Sequence, residues 1–198
     1  MNEADRRVKR TRRLLGQALV ELTLEEGYEA VTIQEITDRA DIGYRTYFRH
    51  YTDKDALLED VLEEMLAEVR QLMILPSTAT FVGFEPAPEE NGRILFQHVQ
   101  ENSDLYRVFL SSGPLVMGPI MGSTCRKAHG FFDAVPDSPI PLEIVANHLI
   151  GSLFVLIRWW LENDKPYSPQ QMGEYAAKLI MLPTRQAILG RTTEPSPF

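Results

Sequence analysis

Between Thr32 and Leu58 the chain reads TIQEITDRADIGYRTYFRHYTDKDALL, and this stretch constrains the fold more than any other. Thr32 and Glu35 stand three apart, so the Thr hydroxyl can accept from the Glu35 backbone N–H while the carboxylate reaches back to the N–H of Thr32. A helix is therefore expected to start at Thr32. Ile33, Ile36 and Ala40 recur at helical spacing, and Asp41-Ile42-Gly43 supplies turn chemistry with a glycine free to take a positive φ. A second helix is predicted from Tyr44 to about Tyr51, dense in groups that can reach phosphates or base edges. Two short helices about a tight, glycine-bearing turn make a helix-turn-helix.

Upstream, Leu15, Ala18, Leu19 and Leu22 form an apolar stripe that ends near Glu26-Gly27, where Gly27 suits a helix C-terminus. Tyr28, Val31, Ile33, Ile36, Ile42 and Phe48 are expected to close over that stripe as the core of a three-helix head. The run RRVKRTRR at residues 6–13 then flanks a groove with six basic side chains. The net charge of −8 argues against a phosphate-rich partner only if it is spread evenly. Residues 1–54 hold ten basic against ten acidic side chains, so the rest of the chain carries the whole deficit. A locally basic head on an acidic, soluble body fits nucleic-acid binding.

Downstream, Thr52 or Asp53 is expected to cap a long helix from Lys54 to about Met73, with Leu57, Leu58, Val61, Met65, Ala67 and Leu72 as its buried side. Residues 76–90 read as a loop in which Phe81 and Phe84 pack. Helices follow from about Gly92 to Glu101, from the cap Ser103 through Leu105 and Phe109, and, less regularly, over residues 116–135. Two stronger helices finish the chain. The first, Pro141 to Asn163, is apolar on nearly all faces; the second starts at Ser168-Pro169-Gln170-Gln171 and is expected to kink or end at Pro183. This is more apolar surface than one small body covers, so self-association through residues 141–163 and 169–189 is the economical reading. The fold class is all-α: a helix-turn-helix head at 1–52, a larger helical regulatory and dimerisation body at 53–190, and a disordered tail at 191–198.

Several function classes find no support. Cys125 is alone, so no internal disulfide forms, and no Cys and His spacing fits zinc. No paired carboxylates, activated nucleophile or phosphate-cradling glycine loop points to catalysis, and no cofactor is expected. No uninterrupted apolar stretch reads as a membrane span, and the chain is expected to be cytoplasmic.

The stretch from Thr32 to Leu58, preceded by its basic helix, resembles the DNA-binding head of the TetR family of bacterial transcriptional repressors. That pattern is a Thr-capped helix, an Ala-Gly-Val-Ser turn, a recognition helix ending in Phe-Tyr-x-His-Phe, and a Lys-containing cap. The likeness covers roughly residues 8–60, and LIRWWLENDKPYSPQQMGEYAAKLI is similar to a dimerisation helix pair of the same family. It implies a homodimer whose recognition helices enter successive major grooves of an operator and whose bodies bind a small effector. Carried over by position, Thr32, Thr46, Arg49, His50 and Lys54 would hold phosphates, while Tyr44 and Arg45 would reach base edges. Gly43 replaces the usual Ser and Asp41 a Gly; Phe48 stands where a Tyr is common, with Tyr47 beside it as a further candidate contact.

For an effector the candidates are Phe96, Phe109, Met117, Met121, Cys125, His129, His148 and Trp159, mostly apolar, which points to a hydrophobic or aromatic small molecule. Two other readings stand beside this one. The body could answer to a protein partner, or Cys125, next to Arg126 and Lys127, could sense oxidants.

Overall fold

The computed structural model describes residues 3–72, 87–112, 122 and 138–188, and every regular element among them is helical. The expectations for Phe81 and Phe84, for the helix at 116–135 and for the tail at 191–198 lie outside the described residues.

Helix α1 (Glu3–Glu26) buries Leu15, Ala18, Leu19 and Leu22 as its stripe requires. It stops where Gly27 takes φ +85° and donates to the Thr23 carbonyl at 2.9 Å, a left-handed termination open to glycine at little steric cost. Helix α2 (Ile33–Ala40) opens with the expected reciprocal cap. Thr32 Oγ1 accepts from Glu35 N–H at 3.3 Å, and Thr32 N–H donates to Glu35 Oε2 at 2.8 Å. The positive φ of the turn falls on Asp41 (φ 53°), whereas Gly43 is extended at φ −62°. Aspartate tolerates the left-handed region better than most side chains, so the turn leaves the glycine's freedom unused.

Helix α3 (Tyr44–Tyr47) is four residues long, shorter than the Tyr44–Tyr51 expectation. Gly43 offers no side-chain cap, and the chain past Tyr47 closes as turns, with Arg49 N–H on the Thr46 carbonyl at 3.2 Å and His50 N–H on that of Tyr47 at 2.9 Å. Helix α4 (Lys54–Leu72) is capped by Asp53, whose Oδ1 accepts from Ala56 N–H at 2.8 Å. Its buried side is Leu57, Leu58, Leu62, Met65 and Val69. Leu57, Leu58 and Met65 stand as expected, whereas Val61 and Ala67 are half-buried and Leu72 is exposed, with Leu62 and Val69 buried beside the expected row.

The chain forms two compact units, Met1–Arg70 with Ser103–Gly118, and Gln71–Asn102 with Pro119–Phe198. The first therefore holds more than three helices: α4 belongs to it, and so does α6 (Ser103–Ser111), which packs on α1 and buries Tyr106, Val108 and Phe109.

In the second unit, α5 (Pro88–Glu101) starts four residues before the expected Gly92, with Pro88 in the first helical turn, where a missing N–H costs nothing. Helix α7 (Leu142–Glu162) is followed by α8 (Pro169–Ala176), a π-helical turn (Ala177–Met181) and α9 (Leu182–Ile188). Ser168 and Gln171 cap α8 reciprocally, as expected. Pro183 does not end the helix. The π turn routes Leu182 N–H to the Ala177 carbonyl, and the looser winding just before Pro183 lets the chain carry a residue that would otherwise break the ladder.

Helices α5 and α8 cross backbone to backbone. A Cβ on Gly173 would lie 2.4 Å from Arg93 N, and one on Gly92 would lie 2.7 Å from the Gly173 carbonyl oxygen. Trp160 is fully buried nearby, its ring edge-on to Phe96 at 5.2 Å and its Nε1 donating to the Tyr167 carbonyl at 2.9 Å. Among the described residues α7 alone is long and apolar enough to cross a membrane. Its buried residues, Val145, Leu149, Leu153, Ile157 and Trp160 among them, nevertheless belong to the core of its own unit.

Candidate nucleic-acid interface and an open apolar face

The head's recognition segment divides between side chains spent inside and side chains left outside. Tyr47 is fully buried and donates from Oη to the Asp53 carbonyl at 2.8 Å. Phe48, expected in the core, is 46% exposed and rests edge-on against Tyr44 at 5.1 Å and Tyr47 at 5.4 Å. The expected assignment of these neighbours, Tyr47 outside and Phe48 inside, is thus reversed. The physical reason lies in the short α3, which points Tyr47 at the start of α4, where a hydroxyl finds an acceptor. Burial pushes the Tyr47 phenol well above its ordinary value, so it stays protonated and donating.

Two more candidate phosphate contacts are engaged internally. The Thr32 hydroxyl donates to Glu35 Oε2 at 2.7 Å; this bond, then the one from the Thr32 backbone, hold the Glu35 carboxyl below the usual range. Lys54 Nζ donates to the Tyr28 carbonyl at 2.5 Å and the Val31 carbonyl at 2.8 Å, and sits 4.4 Å from the centre of the Tyr28 ring. Tyr28 Oη in turn donates to Asp55.

The basic residues sort in the same way. Arg12 pairs with Asp60, which also accepts from Tyr51 Oη at 2.6 Å, and Arg39 pairs with Glu25 at 2.8 Å. Neither is a free cation on the surface. By contrast Tyr44, Arg45 and Arg49 are exposed, and neither arginine makes an ion pair among the described residues. Thr46 and His50 are half-buried, the His50 ring lying 6.2 Å from that of Tyr51. Lys9, Arg10 and Arg13 are exposed along the N-terminal turns of α1. What remains outside is a small set of planar and cationic groups on and beside α3, fit for base edges and phosphates.

Four of the effector candidates lie among the described residues, and of these His148 and Trp159 share one lining. Phe96 is closed in by Trp160 in the second unit, and Phe109 is buried in the first. Met117, Met121, Cys125 and His129 lie outside the described residues. His148 and Trp159 line an open apolar groove with Gly151, Val155, Leu179 and Ile180. Val155 and Leu179 are each 70% exposed, Ile144 is exposed, and Trp159 stacks on Tyr167 at 6.2 Å, with Tyr175 edge-on to Tyr167 at 5.4 Å. Sequence reasoning named this helix pair as an interface, with Val155 and Leu179 among its apolar residues, but left out Tyr167, which lies between the two segments. The signal was present in the step from Ile144 to Val155 and Trp159, apolar positions left over once the buried stripe is removed. No cluster of His, Cys, Asp and Glu suited to a metal occurs among the described residues.

The comparisons agree with this geometry. The family of bacterial regulatory proteins of the tetR type matches residues 16–61, and a transcriptional regulator C-terminal region matches residues 88–182. The HTH-type regulator YxbF of Bacillus subtilis is 32% identical over 77 residues, 38% of this chain and 20% of YxbF. The chain spans about a fifth of the length of the first two curated relatives it matches. FasR of Mycolicibacterium smegmatis, a transcriptional activator, is 24% identical over 166 residues, covering 76% of this chain and 74% of FasR. A TetR-family regulator from Syntrophomonas wolfei superposes with a TM-score of 0.70 at 13% identity, over 94% of this chain and 99% of that one. With a capped helix-turn-helix, an exposed recognition segment and both halves of the family pattern in place, the chain belongs to the TetR family of DNA-binding transcriptional regulators.

Proposed function

We propose that the chain is a homodimeric, ligand-responsive repressor that acts in the cytoplasm and releases a pseudo-palindromic operator when a small apolar or aromatic effector binds. Residues 1–52 read the DNA, and residues 53–190 bind the effector and pair the copies. Tyr44 and Arg45 meet base edges, and Thr46, Arg49 and His50 meet phosphates. The reading is carried by two exposed features together: the exposed Arg45 and Arg49 of the recognition segment, without an ion pair among the described residues, and a wide apolar face on α7 and the π turn. An isologous partner buries such a face and sets two heads side by side. The effector reading is supported by the apolar character of the residues available to line a site.

Selection of duplexes from a random-sequence library tests it. The expected product is a pair of inverted half-sites, bound with a log–log salt slope of about −0.9 per phosphate contacted. Arg45→Ala flattens the preference at one base step by about 1–3 kcal/mol. Binding indifferent to salt and sequence contradicts the reading. A thermal-shift screen with aromatic compounds should find a ligand that raises the melting temperature and loosens the selected duplex; silence across the screen counts against an apolar effector. Since FasR is named an activator, a reporter placed behind the selected site gives the sign of regulation.

A further inference from the structure

We propose that Lys54 is a positioning residue for DNA reading, acting through the backbone ahead of α2 and making no phosphate contact. Two of the three ammonium protons are directed at the Tyr28 and Val31 carbonyls, at 2.5 and 2.8 Å, and the Tyr28 ring lies under the charge at 4.4 Å. The peptide unit joining Val31 to Thr32 is thereby held at both ends. Its carbonyl accepts from Lys54, and its N–H donates to Glu35 Oε2 at 2.8 Å.

The loop needs such a tie. It begins at the left-handed Gly27, and its own backbone contributes the bond from Ala30 N–H to the Gly27 carbonyl at 3.2 Å. Lys54 is the first residue of α4, directly after Asp53, whose carbonyl accepts from Tyr47. One turn of α4 therefore fixes the entry to α2 through Lys54 and the end of α3 through Asp53. The angle at which α3 presents Tyr44 and Arg45 follows from those two anchors. Arginine is not an equivalent here, because its longer, rigid fork does not aim two donors at the Tyr28 and Val31 carbonyls from the position a compact, rotatable ammonium takes.

This rests on the head reading DNA through α3, and the experiment separates the two. The full chain and its Lys54→Met and Lys54→Arg variants are titrated against the best library-selected duplex and a random-sequence duplex over a range of salt, with concentrations corrected for the active fraction. Positioning predicts that the ratio of selected to random affinity falls roughly tenfold, about the loss of one base contact, in both variants, while the salt slope on random duplex stays unchanged. Equal weakening on both duplexes with a slope less steep by about 0.9 per protomer, rescued by Lys54→Arg, would assign Lys54 to a phosphate and overturn the proposal. An unchanged ratio in the active fraction would make it a fold-stabilising residue only, and equally overturn it. If the unaltered chain prefers no sequence, the DNA reading itself fails. Lys54 is then judged by amide exchange: faster exchange at residues 32–35 with α4 protection intact supports the tie, and unchanged exchange refutes it.

Discussion

The two units of the chain solve the problem of stability by different means. In the first, polar tethers converge on the start of α4: Tyr47 on the Asp53 carbonyl, Lys54 on the Tyr28 and Val31 carbonyls, Tyr28 on Asp55, and both Arg12 and Tyr51 on Asp60. In the second, close apolar packing dominates. Two glycines let α5 and α8 touch through their backbones, and Trp160 fills the space beside Phe96. The first unit turns many of its polar groups on itself and leaves cations outside; the second leaves a wide apolar face outside. On the proposed reading the exposed cations of the head meet DNA, and another surface covers the exposed Val155, Trp159 and Leu179 of the body.

Each side of that contrast can be broken. Trp160→Ala should cost the second unit most, about 3–5 kcal/mol, since it opens a large void and orphans the Tyr167 carbonyl; chemical denaturation measures it. Gly173→Ala follows at about 3 kcal/mol, because its new methyl meets backbone atoms of Arg93 and Glu89 that cannot swing aside. A neutral result in the same assay would mean that the α5–α8 crossing is loose. In the head the steps are smaller. Tyr47→Phe keeps the ring and removes one tether, for about 1–2 kcal/mol, visible as a lower melting temperature.

The head should also be the more sensitive unit to alkali. Burial raises the Tyr28, Tyr47, Tyr51 and Tyr106 phenols above their ordinary value, and at Tyr28 the hydrogen bond to Asp55 adds to the effect. A phenol whose pKa is higher folded than unfolded stabilises fully below the unfolded value of about 10 and loses that contribution as pH rises beyond it. Amide protection in α2 is therefore expected to fall above about pH 10 before that in α5 and α8. Simultaneous loss would show that the tyrosine tethers are not what separates the units.

Local chemistry made part of this legible from sequence. The reciprocal caps at Thr32 and Ser168 and the stop at Gly27 involve residues within a turn of each other, and all three stand as expected. Stripes were less secure. On α4, Leu62 and Val69 are buried where Val61 and Leu72 were expected, since neighbouring apolar rows on one helix satisfy the same periodicity. Tyr47 and Phe48 could not be ordered in advance, because α3 is one turn long and the acceptor that favours Tyr47 belongs to the next helix. Lys54 turns inward toward carbonyls more than twenty residues earlier, and α6 joins the head from beyond residue 100; neither leaves a short-range pattern.

On the proposed reading another copy of the chain completes the second unit's open face. Light scattering on the purified protein and on a Val155→Asp/Leu179→Asp variant tests it directly, as both side chains are exposed and their replacement leaves the core intact. Pairing through this face predicts twice 22.6 kDa for the unaltered chain and 22.6 kDa for the variant, with helicity unchanged and affinity for the selected duplex sharply reduced. A variant that keeps the doubled mass, or an unaltered chain that already runs as a single copy, would contradict it.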